Sequence, residues 1–126
     1  MSRIRTYKTA RSVTSRNKYG NRKCTMDGYS FDSVKEMNRY ADLKYLLIAG
    51  EISDLELQKE YELQPAFRNN QGKMVRPIYY RADFVYKDKD GNTIIEDVKS
   101  PATHNNAVYK LKKKMMAYKG LDIREV

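Results

Sequence analysis

The segment from Ile78 to Ser100, IYYRADFVYKDKDGNTIIEDVKS, constrains the fold more than any other part of the chain. Two runs rich in β-branched and aromatic residues flank the turn Lys89-Asp90-Gly91, which predicts a β-hairpin. In a strand, residues two apart share a face, so Asp97 and Lys99 point with Ile95, while Glu96 points with Ile94 and Val98. On the other strand Asp83 shares its face with Arg81 and Val85. Charged side chains are costly to bury without partners. A register that brings the two faces together resolves the difficulty, because two carboxylates and an ammonium then meet on one side of the sheet.

The flanking sequence supplies what covers that sheet. KCTMDGYSF reads as a short hairpin about Asp27-Gly28. DSVKEMNRYADLKYLLIAGEI reads as a helix with Asp32 or Ser33 as N-cap and a stop at Gly50. Its apolar side takes in Met37, Tyr40, Ala41, Leu43, Leu47 and Ile48, with Lys35, Asn38, Arg39 and Asp42 opposite. Glu36 breaks the pattern by projecting between the directions of Leu43 and Leu47. A strand is expected around Tyr61 to Phe67, irregular or at an edge because of Pro65, followed by a polar loop turning at Gln71-Gly72. SPATHNN reads as a loop and AVYKLKKKMMAYK as a basic helix ended by Gly120. In that helix Val108, Leu111, Met115 and Tyr118 are the expected buried stripe. LDIREV completes the order as a short strand. The pattern predicts an α/β or α+β domain with a mixed central β-sheet flanked by helices, and 126 residues suffice for one hydrophobic core and not two.

Charge narrows the partner. Lys and Arg number 25 against 16 Asp and Glu, a formal charge of +9, which favours an anionic polymer, nucleic acid being the commonest. Residues 1–23 carry Arg3, Arg5, Lys8, Arg11, Arg16, Lys18, Arg22 and Lys23 and no acid, and read as a basic, mobile arm that binds phosphates, with a solubilising tail as the alternative. The domain proper is expected over residues 24–126. Cys24 is the single cysteine, so no intrachain disulfide and no His/Cys zinc site is expected, and an intracellular setting follows. No apolar run is long enough for a membrane span or a secretion signal.

The charged cluster has a direct chemical use. Carboxylate oxygens suit Mg²⁺, which prefers hard oxygen ligands and keeps some of its waters. A metal so held polarises a phosphodiester and lowers the pKa of bound water. A neighbouring amine, here Lys99, orients or deprotonates the attacking water, or stabilises the pentavalent phosphate.

Asp83, a hairpin turn and Asp97-Val98-Lys99, preceded by a helix bearing Glu36, resemble the signature of the PD-(D/E)XK nuclease superfamily. Over residues 18 to 126, FDSVKEMNRYADLKYLLIAGEISDLELQKEYEL, YRADFVY, IIEDVKS and VYKLKKKMM also resemble small phage-encoded endonucleases considered similar to Holliday junction resolvases. The resemblance implies a restriction-endonuclease-like fold. It makes Asp83 and Asp97 metal-binding carboxylates, Lys99 the catalytic lysine and Glu36 a further acid at the metal. The implied cofactor is Mg²⁺, with Mn²⁺ as a substitute, and the implied substrate branched DNA, cut in the cytoplasm of an infected or lysogenic bacterial host. Ala82 stands where the superfamily's name has proline. Symmetrical cutting of a four-way junction requires two sites, hence a homodimer.

Each residue also has a plainer reading. Glu36 stands three after Ser33 and completes a capping box, a role compatible with the other. Asp97 and Lys99 read alternatively as a surface ion pair, and the same charges suit a non-catalytic nucleic-acid-binding module. Lys110, Lys112, Lys113 and Lys114 read either as a solvated helix face or as contacts to DNA phosphates. Contacts of that kind position a duplex without reading its sequence.

Overall fold

A computed structural model of the protein describes residues 23–126; of the expected basic arm only Lys23 falls within that range, and Arg3, Arg5, Arg11, Arg16, Lys18 and Arg22 lie outside it. The elements in chain order are β1 (Cys24–Met26), β2 (Tyr29–Phe31), α1 (Val34–Ile48), β3 (Ser53–Leu57), β4 (Glu60–Gln64), β5 (Phe67–Arg68) and β6 (Met74–Val75). There follow β7 (Ile78–Arg81), β8 (Phe84–Lys87), β9 (Thr93–Asp97), α2 (Pro101–His104), α3 (Ala107–Tyr118) and β10 (Ile123–Glu125). The fold is α+β. Its central sheet runs β10-β9-β8-β3, with β10 parallel to β9 and the other pairs antiparallel.

The turn at Asp27-Gly28 forms as its sequence requires, with both residues at positive φ (55° and 83°) between β1 and β2. The hairpin then locks onto α1, because Asp27 accepts hydrogen bonds from the Tyr40 hydroxyl (2.9 Å) and the Lys44 ammonium (2.5 Å). Ser33 caps α1, its hydroxyl accepting from the Glu36 amide at 3.0 Å.

Alternation along β8 and β9 builds two cores. Phe84 and Tyr86 pack with Tyr40, Leu43 and Phe31 beneath α1, whereas Val85, Ile95 and Ile123 pack with Tyr109 and Met116 beneath α3.

Several expectations need correction. The hairpin strand expected to run unbroken from Ile78 is split at Ala82-Asp83, so β7 pairs with β4 and β8 with β9 and β3. A strand that the pattern did not predict, β3, lies between α1 and the strand expected near Tyr61, and its own break from β4 lies opposite, at Gln58, whose φ is +58°. β3–β4 and β7–β8 are thus a long pair bent at one place, where the Ala82 amide donates to Lys59 O (2.9 Å) and the Gln58 amide to Asp83 O (3.0 Å). Such irregularities re-aim a side chain and end regular pairing. The polar loop before β7 holds the small β5–β6 hairpin, and SPATHNN holds the one-turn helix α2 capped by Ser100.

α3 is rolled from its predicted face, while α1 keeps Tyr40 and Leu43 of its expected side buried and Met37 packed on the core. α1 buries Glu36, Tyr40 and Leu43 and leaves Ile48 exposed, and Arg39, placed outward by the pattern, turns toward the sheet. In α3 the stripe Val108, Leu111 and Tyr118 is exposed, and Tyr109 and Met116 are buried instead. The reason is polar: only this roll lets Tyr109 and Lys113 reach Glu125 on β10 while their apolar portions pack.

Candidate active site

The bend at Ala82-Asp83 and the end of β9 face one open cleft of about 540 Å³, closed on one side by the N-terminus of α1 and on the other by α3. Glu36, Asp83, Asp97 and Lys99, four residues singled out from the sequence, all line it. Lys112 lines it as well, with Lys23 at the start of the described chain. Lys113 is turned away into an ion pair with Glu125 at 2.7 Å, and Lys110 and Lys114 lie with Leu111 on a separate face of α3. Lys35 and Arg81, not singled out from the sequence, complete the basic rim.

Each functional side chain is held by backbone that the sequence places locally. Asp83 leaves the regular strand but keeps the ladder, its amide donating to Glu96 O at 3.1 Å. Its carboxylate Oδ2 accepts from the Val98 amide at 2.7 Å. Asp97 and Lys99 are fixed from the other edge by β10, since Val126 donates its amide to Asp97 O (3.0 Å) and its carbonyl accepts from the Lys99 amide (3.1 Å). Lys35 donates to Lys99 O at 2.7 Å, tying α1 to the same corner.

The side chains form a chain of contacts. Glu36 and Asp97 both stand close enough to Asp83 for their charges to act on its carboxyl. Asp97 is buried; the Lys99 ammonium lies 3.0 Å from its Oδ1, and the Tyr80 hydroxyl donates to its Oδ2 at 2.5 Å. Glu36 also takes up a capping contact, its Oε1 accepting from the Asp32 amide at 3.2 Å. The capping partner is therefore Asp32, one residue before the cap. Burial, followed by the charges of Glu36 and Asp97, holds the Asp83 carboxyl well above the usual range. Burial likewise raises Glu36. Burial and then the Asp97 charge push the Tyr80 hydroxyl far above the phenol range, so it stays a donor.

Among the described residues no group of three or more His, Cys, Asp or Glu is set to hold a metal ion. The acids are instead held by neighbouring donors, Glu36 by the Asp32 amide, Asp83 by the Val98 amide and Asp97 by Tyr80 and Lys99. Hard carboxylate oxygens, with neither thiolate nor imidazole beside them, fit a Mg²⁺-type ion, which takes one or two carboxylates and fills its remaining positions with water and phosphate. Asp83 and Asp97 are the residues that would hold it, with Glu36 next in line.

Behind this site lies a polar cluster that the sequence reading missed. Glu96, fully buried on the opposite face from Asp97, receives two hydrogen bonds from Arg39, at 2.8 and 2.6 Å, and a third from the Tyr86 hydroxyl. The available signal was spacing: Arg39 is three residues after Glu36 on α1 and Glu96 alternates inward with Ile94.

Among the described residues no helix is long and apolar enough to cross a membrane. No curated protein and no solved structure matches the chain. A family model does, over residues 16–126, a span that takes in β1 to β10 and all the acids and lysines of the cleft, and the chain accordingly belongs to DUF1064, described as a protein of unknown function.

Proposed function

We propose that the protein is a Mg²⁺-dependent DNA endonuclease that hydrolyses phosphodiesters in branched or otherwise structured DNA. The observation that carries the reading is the meeting of Asp83, Asp97, Glu36 and Lys99 in one cleft with a basic rim, from positions far apart in the chain. The resemblance to PD-(D/E)XK nucleases supports it. When bound, the metal supplies Lewis-acid polarisation of the phosphate and a more acidic water. Asp83 and Asp97 would hold it, and Glu36, whose charge acts on Asp83, would contribute a further acid. The Lys99 ammonium, beside Asp97, orients the attacking water and offsets charge that develops on the phosphate. Lys23, Lys35, Arg81 and Lys112 engage flanking phosphates, which sets the position of the duplex without specifying sequence. Two symmetrical cuts in a four-way junction call for a homodimer with two such clefts.

The test is a cleavage panel of four-way junction, flap, nicked and linear duplex DNA with Mg²⁺ or Mn²⁺, using wild type, Lys99→Ala and Asp97→Ala in parallel. Wild type is expected to cut branched DNA in preference to linear duplex. Both variants are expected to lose cutting by roughly 10²–10³-fold, the scale of removing one electrostatic stabiliser from an active site, while Asp97→Ala keeps or gains DNA affinity. Undiminished cutting by Asp97→Ala would refute the site. Binding without cutting by wild type would make the protein a nucleic-acid-binding module, and preference for linear duplex would point to a restriction- or transposase-type target.

A further inference from the structure

The environment of Lys99 contains one contact that the proposed chemistry does not itself require. The ammonium lies 3.9 Å from the centroid of the Tyr109 ring while also 3.0 Å from Asp97 Oδ1. The geometry points to Tyr109 as the positioning residue for Lys99, a ring whose face, anchored through its hydroxyl to Glu125, holds the ammonium against Asp97. The inference rests on the nuclease reading of the cleft for its consequence and on these contacts for its content.

A lysine amine is a compact charge on a flexible four-carbon stem, and one carboxylate oxygen does not fix its direction. An aromatic face beneath it adds attraction and restricts where the nitrogen can lie. Tyr109 is suited to that task because it is itself over-determined. Its amide donates to Asn106 Oδ1 at 3.0 Å as α3 begins, its ring is buried, and its hydroxyl donates to Glu125 Oε2 at 2.8 Å. Glu125 is fixed in turn by Lys113 at 2.7 Å and by His104 Nδ1 at 2.7 Å. Lys113 and His104, from α3 and α2, thus serve to brace the ring. The same roll that exposes Val108 and Leu111 brings Tyr109 under Lys99, so the face that α3 presents is tied to this contact.

The experiment reads the position of Lys99 separately from turnover. In metal-free wild-type protein, the Lys99 ε-methylene protons are expected to be shifted upfield in the NMR spectrum by the ring current of Tyr109. The shift is expected to persist in Tyr109→Phe and vanish in Tyr109→Leu. Mg²⁺-supported cleavage is expected to fall about tenfold in kcat in Tyr109→Leu, the scale of a partly desolvated cation–π contact, with KM for DNA unchanged. Tyr109→Phe is expected to recover most of that loss. Absence of the upfield shift in wild type or in Tyr109→Phe overturns the inference without requiring the leucine variant to fold. Equal kcat in wild type and Tyr109→Leu also overturns it. A wild type that shows the shift and loses it in Tyr109→Leu, yet cuts no DNA, upholds the placement of Lys99 and removes the nuclease reading instead.

Discussion

Asp83 is the residue on which the cleft's electrostatics turn. Its carboxyl is raised by burial and then by Glu36 and Asp97, so the folded state binds its proton more tightly than the unfolded state does. The contribution of Asp83 to stability is therefore fully present below the unfolded carboxylate range and is lost as pH rises from there through the folded value, the reverse of an ion-paired aspartate. Asparagine has the shape of the protonated acid and can still accept the Val98 amide. Asp83→Asn is accordingly expected to stabilise the metal-free protein at neutral pH by about 1–2 kcal/mol, several degrees in Tm, because a buried charge without full compensation is replaced by a neutral group. At pH 4 the two proteins are expected to converge. Thermal melts of both across pH 4–8 check the sign, and a wild type that gains stability on the way to neutral pH relative to the variant contradicts it. A second expectation concerns the cation. Added Mg²⁺ is expected to raise the wild-type Tm at pH 7.5, since a ligand that binds only the folded state stabilises it, and to leave Asp83→Asn nearly unchanged.

At the scale of elements, the site depends on how α1 lies on β9. Glu36 and Arg39 are one turn apart on the helix, and they reach past opposite faces of the sheet end, Glu36 toward Asp83 and Arg39 toward Glu96. The Arg39–Glu96 pair thus fixes the roll of α1 that delivers Glu36. Glu96 is fully buried, and removal of Arg39 leaves its charge with the Tyr86 hydroxyl alone. Arg39→Ala is expected to destabilise the fold by roughly 3 kcal/mol, the range for breaking one side of a buried pair. Glu96→Gln, which removes the charge and keeps the shape, is expected to cost less. Urea unfolding of both variants tests the order, and a loss under 1 kcal/mol for Arg39→Ala would show the pair to be no clamp. Elements with their signals in adjacent residues were legible in the sequence: the Asp27-Gly28 turn, the Ser33 cap, the Lys89-Asp90-Gly91 hairpin and the Gly120 stop. The face that α3 buries was not, nor was the inward turn of Arg39 on α1. Both depend on Glu96 and Glu125, partners distant in the chain that reward a polar flank, and periodicity weighs apolar residues alone. The acids Asp83 and Asp97 were placed together correctly because alternation and register are local, whereas the bend that carries Asp83 out of its strand answers to Gln58 at the break between β3 and β4.

For the whole molecule the distribution of charge matters more than its sum. Of the formal +9, seven positive charges lie within residues 1–22, at Arg3, Arg5, Lys8, Arg11, Arg16, Lys18 and Arg22, so residues 23–126 carry only +2. A body so nearly neutral, with acids at the floor of its cleft, has weak non-specific attraction for a polyanion, and its rim lysines act locally within about a Debye length. In the nuclease reading the labour is then divided: the N-terminal residues supply affinity and the cleft supplies chemistry. Each phosphate neutralised by a lysine or arginine contributes about −0.9 to the slope of log K against log salt on duplex DNA. Deletion of residues 1–22 is expected to make that slope shallower by several such increments and to weaken binding markedly at low salt. Single-turnover cutting at saturating enzyme is expected to survive, because Glu36, Asp83, Asp97 and Lys99 remain. Lys112→Ala is expected to behave differently, with a slope change near one increment and a loss of cutting rate, since Lys112 stands on the cleft itself. Titrations of a labelled junction at several salt concentrations, with full-length protein, the deletion and Lys112→Ala, separate the two roles. An unchanged salt slope in the deletion would assign the affinity to the folded body, and with it the lysines Lys110 and Lys114 on the outer face of α3.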